Sequence, residues 1–147
     1  MSASEATTAH LSLEVTFVMG SQPRYLPIVR ATVGQLAEIV GWGEGDARAI
    51  TLAIDEALAN VIRHAYHGRP DGRVELECRA AGDELQFQIR DQGEPPDPSR
   101  ICARAVGCDQ IGGLGTHIIR DVMDTVSYQA TPEGNRFTAA KRLRRTA

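Results

Sequence analysis

The sequence predicts an α+β domain. Short stretches alternate between apolar and polar residues as half-buried strands do, and longer stretches repeat apolar residues at helical spacing. Two of the strand patterns also follow each other across a gap too short for anything but a hairpin. Residues 1–10, MSASEATTAH, are small and polar and read as a flexible tail, leaving 11–147 as one domain. A length of 147 residues suits a single unit, and 42% hydrophobic with 24% charged residues is ordinary globular composition.

Taken in order, Leu11, Leu13, Val15 and Phe17 alternate with Ser12, Glu14 and Thr16 as a strand, which Gly20 to Pro23 ends. From Arg24 to Val40, Leu26, Val29, Val33, Leu36, Ala37 and Val40 make an amphipathic helix closed by Gly41 and Gly43. Arg30 lies on its polar side. Asp46 is the expected N-cap of the next helix, which runs to His67 and Gly68. The turn RPDG at 69–72 leads to Val74, Leu76 and Cys78, then to a hairpin connection at Ala81 to Asp83, then to Leu85, Phe87 and Ile89 antiparallel to them. Residues 94–111 hold Pro95, Pro96 and Pro98 without an apolar period, a long connection of the kind that is often functional. Gly112, Gly113, Leu114 and Gly115 open a helix that buries Ile118, Ile119, Val122 and Met123. Strands at 126–130 and 137–143, joined by a turn at 132–135, complete the chain.

Charge and cysteine content exclude several classes. A net charge of −3 offers no basic surface for nucleic acid, and the cluster Lys141, Arg142, Arg144 and Arg145 has no interleaved aromatic residues, so it reads as a solvated strand end. Cys78, Cys102 and Cys108 lack CxxC spacing, and the gaps between Cys102, Cys108 and His117 match no common ligand pattern. Neither a leader sequence nor a membrane span is visible, so a cytoplasmic protein with reduced thiols is expected.

The informative stretch is Leu52 to Tyr66, LAIDEALANVIRHAY. Glu56 and Asn60 interrupt its apolar face four residues apart, close enough to serve one point in space. A carboxylate there suits proton acceptance from a hydroxyl, and an amide oxygen suits a magnesium ion otherwise held by phosphates and water. A purely structural bridging role fits the same spacing. Asp91, followed by Gly93, ends a strand where a carboxylate can accept from a base's exocyclic amine, or simply form an Asx turn. Glycines at 112–115 allow phosphate to approach the backbone N–H groups of a helix start, or merely permit a tight turn.

These motifs in this order resemble the GHKL ATPases, and within them the anti-sigma factor serine/threonine kinases. The resemblance rests on Glu56, Ala57, Asn60, His64, Ala65 and Tyr66, on Asp91 and Gly93 with Pro96 to Pro98, and on Gly112, Gly113 and Gly115 with Met123 and Asp124. It covers about Leu13 to Leu143. It implies a two-layer α/β sandwich of the Bergerat type, with helices on one face of a mixed, mainly antiparallel sheet. It implies ATP and Mg2+ as cofactors, Glu56 as catalytic base and Asn60 as metal ligand. Asp91 and Gly93 would receive the adenine, and Gly113, Leu114, Gly115 and Thr116 the phosphates. Arg30 would face a partner: a STAS-type anti-anti-sigma protein, or a sigma factor. Homodimers occur in the family. His64 matches the motif without acquiring a role, and a satisfied core histidine is the plain alternative. The alternative function is a non-catalytic ATP-binding interaction module of a partner-switching pathway. Two departures stand out: Pro95 follows Glu94 where a second glycine is usual, and Gly134 is followed by Asn135 and Arg136 where many members have an adenine-holding threonine. That adenine contact does not carry over by residue type.

Overall fold

The computed structural model describes residues 12–96 and 113–144. The expected tail at 1–10 and most of the 94–111 connection lie outside them. Among these described residues, five strands form one sheet: β1 (Ser12–Gly20), β2 (Arg73–Ala81), β3 (Glu84–Asp91), β4 (Thr125–Thr131) and β5 (Gly134–Arg142). Their order is β1-β2-β3-β5-β4, and every pairing among the described residues is antiparallel. The sheet is thus antiparallel throughout its described part, not mixed.

Among the described residues, three helices supply the second layer: α1 (Leu26–Val40), α2 (Glu44–Asn60) and α3 (Gly113–Val122). The alternation along β2 and β3 turns Val74, Leu76, Cys78, Leu85, Phe87 and Ile89 toward these helices and leaves Glu75, Glu77, Gln86 and Gln88 on the other face. α1 answers with Val29, Val33 and Leu36, and α2 with Ile50, Ala53, Ile54, Ala57 and Leu58, all buried. Their three- and four-residue spacing is the apolar stripe that carries each helix onto the sheet.

Local chemistry sets the element ends. Gly41 closes α1 at φ +130, and its N–H and that of Trp42 both reach the Ala37 carbonyl, at 3.1 and 3.0 Å. Helix α2 begins two residues before the expected Asp46 cap: Gly43 is the N-cap and makes no side-chain bond. Glu44 and Asp46 lie in the first turn instead, where their charge favours the positive end of the helix dipole. β2 and β3 turn over Gly82 and Asp83, with Gly82 at φ +62. At the far end, Lys141 Nζ donates to the Val122 carbonyl at the end of α3, and Asp124 accepts the Arg142 N–H at 2.8 Å. Arg142 also pairs with Asp83 and Glu84, and Arg144 with Asp124. The described C-terminal cations therefore serve the fold.

Ile54 is fully buried between α2 and the sheet. Ile54→Ala should lower unfolding free energy by about 2–5 kcal/mol, read by urea denaturation, since the helical layer cannot close over the lost volume.

Candidate functional site

The helical wall of the site comes from α2. Its apolar stripe faces the sheet, which places Glu56 and Asn60 at the stripe's edge, both partly exposed. After Asn60 the helix widens into a π turn, Val61–Ala65, in which the Tyr66 N–H reaches back five residues to the Val61 carbonyl at 3.2 Å. Arg63, on this turn, shares the face of Glu56 and Asn60: its Nη2 donates to Asn60 Oδ1 at 2.9 Å and stands 3.6 Å from Glu56 Oε2. His64 on the same turn is exposed, which removes the reading of a core histidine. No group of three His, Cys, Asp or Glu side chains among the described residues could hold a metal by itself. One amide oxygen at this wall therefore suits only a cation that brings most of its own ligands, as magnesium on a nucleotide does.

The opposite wall is the end of β3. Asp91 is 3% exposed, and two donors meet on its Oδ1: the Gly93 N–H at 3.0 Å and Asn135 Nδ2 at 2.8 Å. Asn135, also buried, donates to the Gly93 carbonyl at 3.1 Å as well. Burial pushes the Asp91 carboxyl above its ordinary value, and the bonds from Asn135 and Gly93 pull it partly back. The Asx turn and the recognition role are thus compatible, because the turn consumes only one carboxylate oxygen. Asn135 was visible in sequence only as a departure from a family pattern. The signal for its role was its alternation: with Phe137 and Ala139 it points to the core, where an amide needs partners.

Hydrogen bonds tie the two walls together. Tyr66 donates its hydroxyl to the Arg73 carbonyl at 2.5 Å and accepts the Gln92 N–H at 2.8 Å. The Glu94 N–H reaches the Ala65 carbonyl at 2.8 Å, and His67 contacts Glu94. Gly93 is pressed so close that a Cβ there would lie 2.4 Å from the Ala65 oxygen, so glycine is a steric requirement. Ser21 completes the set, donating to the Arg69 carbonyl and accepting the Gly72 N–H.

The other expected residues fall as follows. Gly113, Leu114, Gly115 and Thr116 lie at the N-terminal end of the described part of α3. Gly112 lies outside the described residues. α3 packs on α2 and buries Ile119, with Met123 buried just beyond its end. Arg30 stands apart from this group: its Nη1 pairs with Asp55 Oδ1 at 3.0 Å, joining α1 to α2. A cleft of about 690 Å³ borders Gln92, Gly93, Gly134 and Asn135, but Glu56, Asn60 and Asp91 do not line it.

Helices on one side of an antiparallel sheet, with the polar groups gathered where the layers meet, make this a nucleotide-binding sandwich of the GHKL type. The chain belongs to the histidine kinase-like ATPase domain family, whose model matches residues 19–141. It is similar to the serine-protein kinase RsbW of Listeria innocua serovar 6a, 28% identical over 121 residues and 77% of each chain. RsbW of Bacillus subtilis strain 168 is likewise 28% identical, over 123 residues, 74% of this chain and 73% of its own. Among solved structures, the RsbU and RsbW domains of Rv1364c from Mycobacterium tuberculosis match with a TM-score of 0.65 at 19% identity. That match covers 92% of this chain and 34% of the other, and shows the fold alone.

Three outcomes follow from this geometry. Tyr66→Phe strips a partner from both the Gln92 N–H and the Arg73 carbonyl and should cost about 1–3 kcal/mol in chemical denaturation. The raised Asp91 value means that its ionisation opposes folding, so this group's contribution to stability falls as pH rises from 3.8 through the native value. Asn135→Leu removes a donor to the anion and should move the Asp91 carboxyl higher still in an NMR titration. An unchanged value would contradict the role given to Asn135.

Proposed function

We propose that this protein is an ATP-dependent serine/threonine protein kinase acting as an anti-sigma regulatory factor. It phosphorylates a STAS-type anti-anti-sigma partner and sequesters a sigma factor. The observation that carries the reading is the placement of Glu56 and Asn60 one turn apart on α2, in a fold that also buries Asp91 at the end of β3. The names of the RsbW relatives support it.

In this reading Asp91 accepts from the exocyclic amine of adenine, while Gly93 leaves room for the base. The N–H groups that open α3 receive phosphate oxygens, with the helix dipole favouring the anion. Asn60 would hold magnesium, which would supply positive charge against the phosphates when bound. Glu56 takes the proton of the partner's hydroxyl as that oxygen bonds to the γ-phosphorus and the bond from phosphorus to the ADP oxygen breaks. No covalent intermediate on the protein is required, so the chain's work is positioning and charge stabilisation. Arg30, half-exposed and braced by Asp55, would meet the partner from α1.

Retention of Glu56 favours transfer over binding alone, because a nucleotide-sensing module has no chemical use for a base. Glu56→Ala should bind ATP as the wild type does while phosphate transfer to a captured partner falls by about 10²–10⁴-fold, the usual range for a general base. Calorimetry and phosphosite mapping on the partner check the two halves. Transfer by neither protein would leave the interaction module as the surviving reading, and equal ATP affinity in Asp91→Asn would remove the adenine from Asp91.

A further inference from the structure

The phosphate end of the site contains a cation of the chain's own. Glu56, Asn60 and Arg63 follow at i, i+4 and i+7, and a single guanidinium nitrogen, Nη2 of Arg63, serves both other side chains. Arg63 is the ion-pair partner of Glu56 among the described residues, and it rides on the π turn rather than on the regular helix. We propose that Arg63 is a stand-in cation: a positioning residue that holds the Glu56 carboxylate and Asn60 amide together before nucleotide loads. It then yields Asn60 Oδ1 to the divalent cation. The inference rests on the ATP-binding reading above and goes beyond it.

Asn60 Oδ1 at 2.9 Å from a guanidinium nitrogen cannot also ligate a divalent ion without bringing two like charges into contact. The guanidinium keeps its charge at any physiological pH, so it leaves by moving and not by losing a proton. Movement is inexpensive, because the Arg63 side chain is 58% exposed on a flexible stem. Until the metal arrives, the same charge keeps Glu56 from swinging into solvent and can neutralise part of a phosphate group. Arg63 therefore substitutes for the metal when metal is absent and competes with it when present, and both effects reduce the dependence of nucleotide binding on magnesium.

That dependence is the measurement. ATP affinity is determined by calorimetry in millimolar magnesium and again in chelator, for the wild type, Arg63→Met and Arg63→Lys. Arg63→Met keeps the length and apolar stem but removes charge and donors. Its ratio of affinity with magnesium to affinity without should rise about two- to five-fold, the scale of one partly exposed charged contact. Arg63→Lys, which keeps the charge, should stay near the wild-type ratio. A ratio unchanged or lowered in Arg63→Met overturns the proposal, since a solvated charge on the helix surface would leave it unmoved. A wild type that binds ATP but shows no shift in the variant sinks Arg63's role alone. A wild type that binds no ATP in either condition sinks the nucleotide reading, and this inference with it.

Discussion

Asp91 stays inside the protein because two N–H groups, from Gly93 and Asn135, converge on one of its oxygens. A buried carboxylate without such donors would lose its charge or unfold its surroundings. The donors come from different places: one from the chain two residues on, the other from β5, whose register sets Asn135 opposite Asp91. The pairing of β3 with β5 is therefore a condition of the site as well as of the sheet. A slip of one residue would turn Asn135 to the open face and leave the carboxylate without its second donor.

The same corner binds the helical layer to the sheet. Tyr66 spends its hydroxyl on two backbone groups, one in β2 and one just past β3, and the Ala65 carbonyl takes the Glu94 N–H. Ala65 and Tyr66, at the end of the π turn, are thereby a structural joint. It sets how far the helix carrying Glu56 and Asn60 stands from the strand carrying Asp91. Gly93 has to be glycine because this joint brings two backbones into contact. Candidate site residues and fold-holding residues alternate along a few positions, so the candidate site inherits the rigidity of the core beneath it.

How much of this was legible in the sequence differs by element. The strands and helices were readable because apolar periodicity is a local property: Val74 to Cys78 and Leu85 to Ile89 alternate, and α2 keeps its stripe through Leu58. The ends were less so. Asp46 looked like a cap by residue type, yet Gly43 took that position. The π turn left no local mark, because it changes the bonding of the backbone without changing which residues are apolar.

The candidate site divides along the same line. Glu56, Asn60 and Asp91 could be named from sequence because each is a polar residue where its own helix or strand pattern calls for an apolar one or for an end. Their partners could not. Asn135 is 44 residues from Asp91, and a hydrogen bond between them exists only once β5 lies beside β3. Arg63 is the exception: three residues past Asn60 and seven past Glu56, it shares their helix face, a spacing that the sequence itself contains. The sequence by itself determined which side chains are candidates for the chemistry, since that follows from residue type and short-range spacing. The tertiary structure decided which groups satisfy and charge them, because a buried polar atom takes its partners from whatever the packing of distant segments brings within 3 Å.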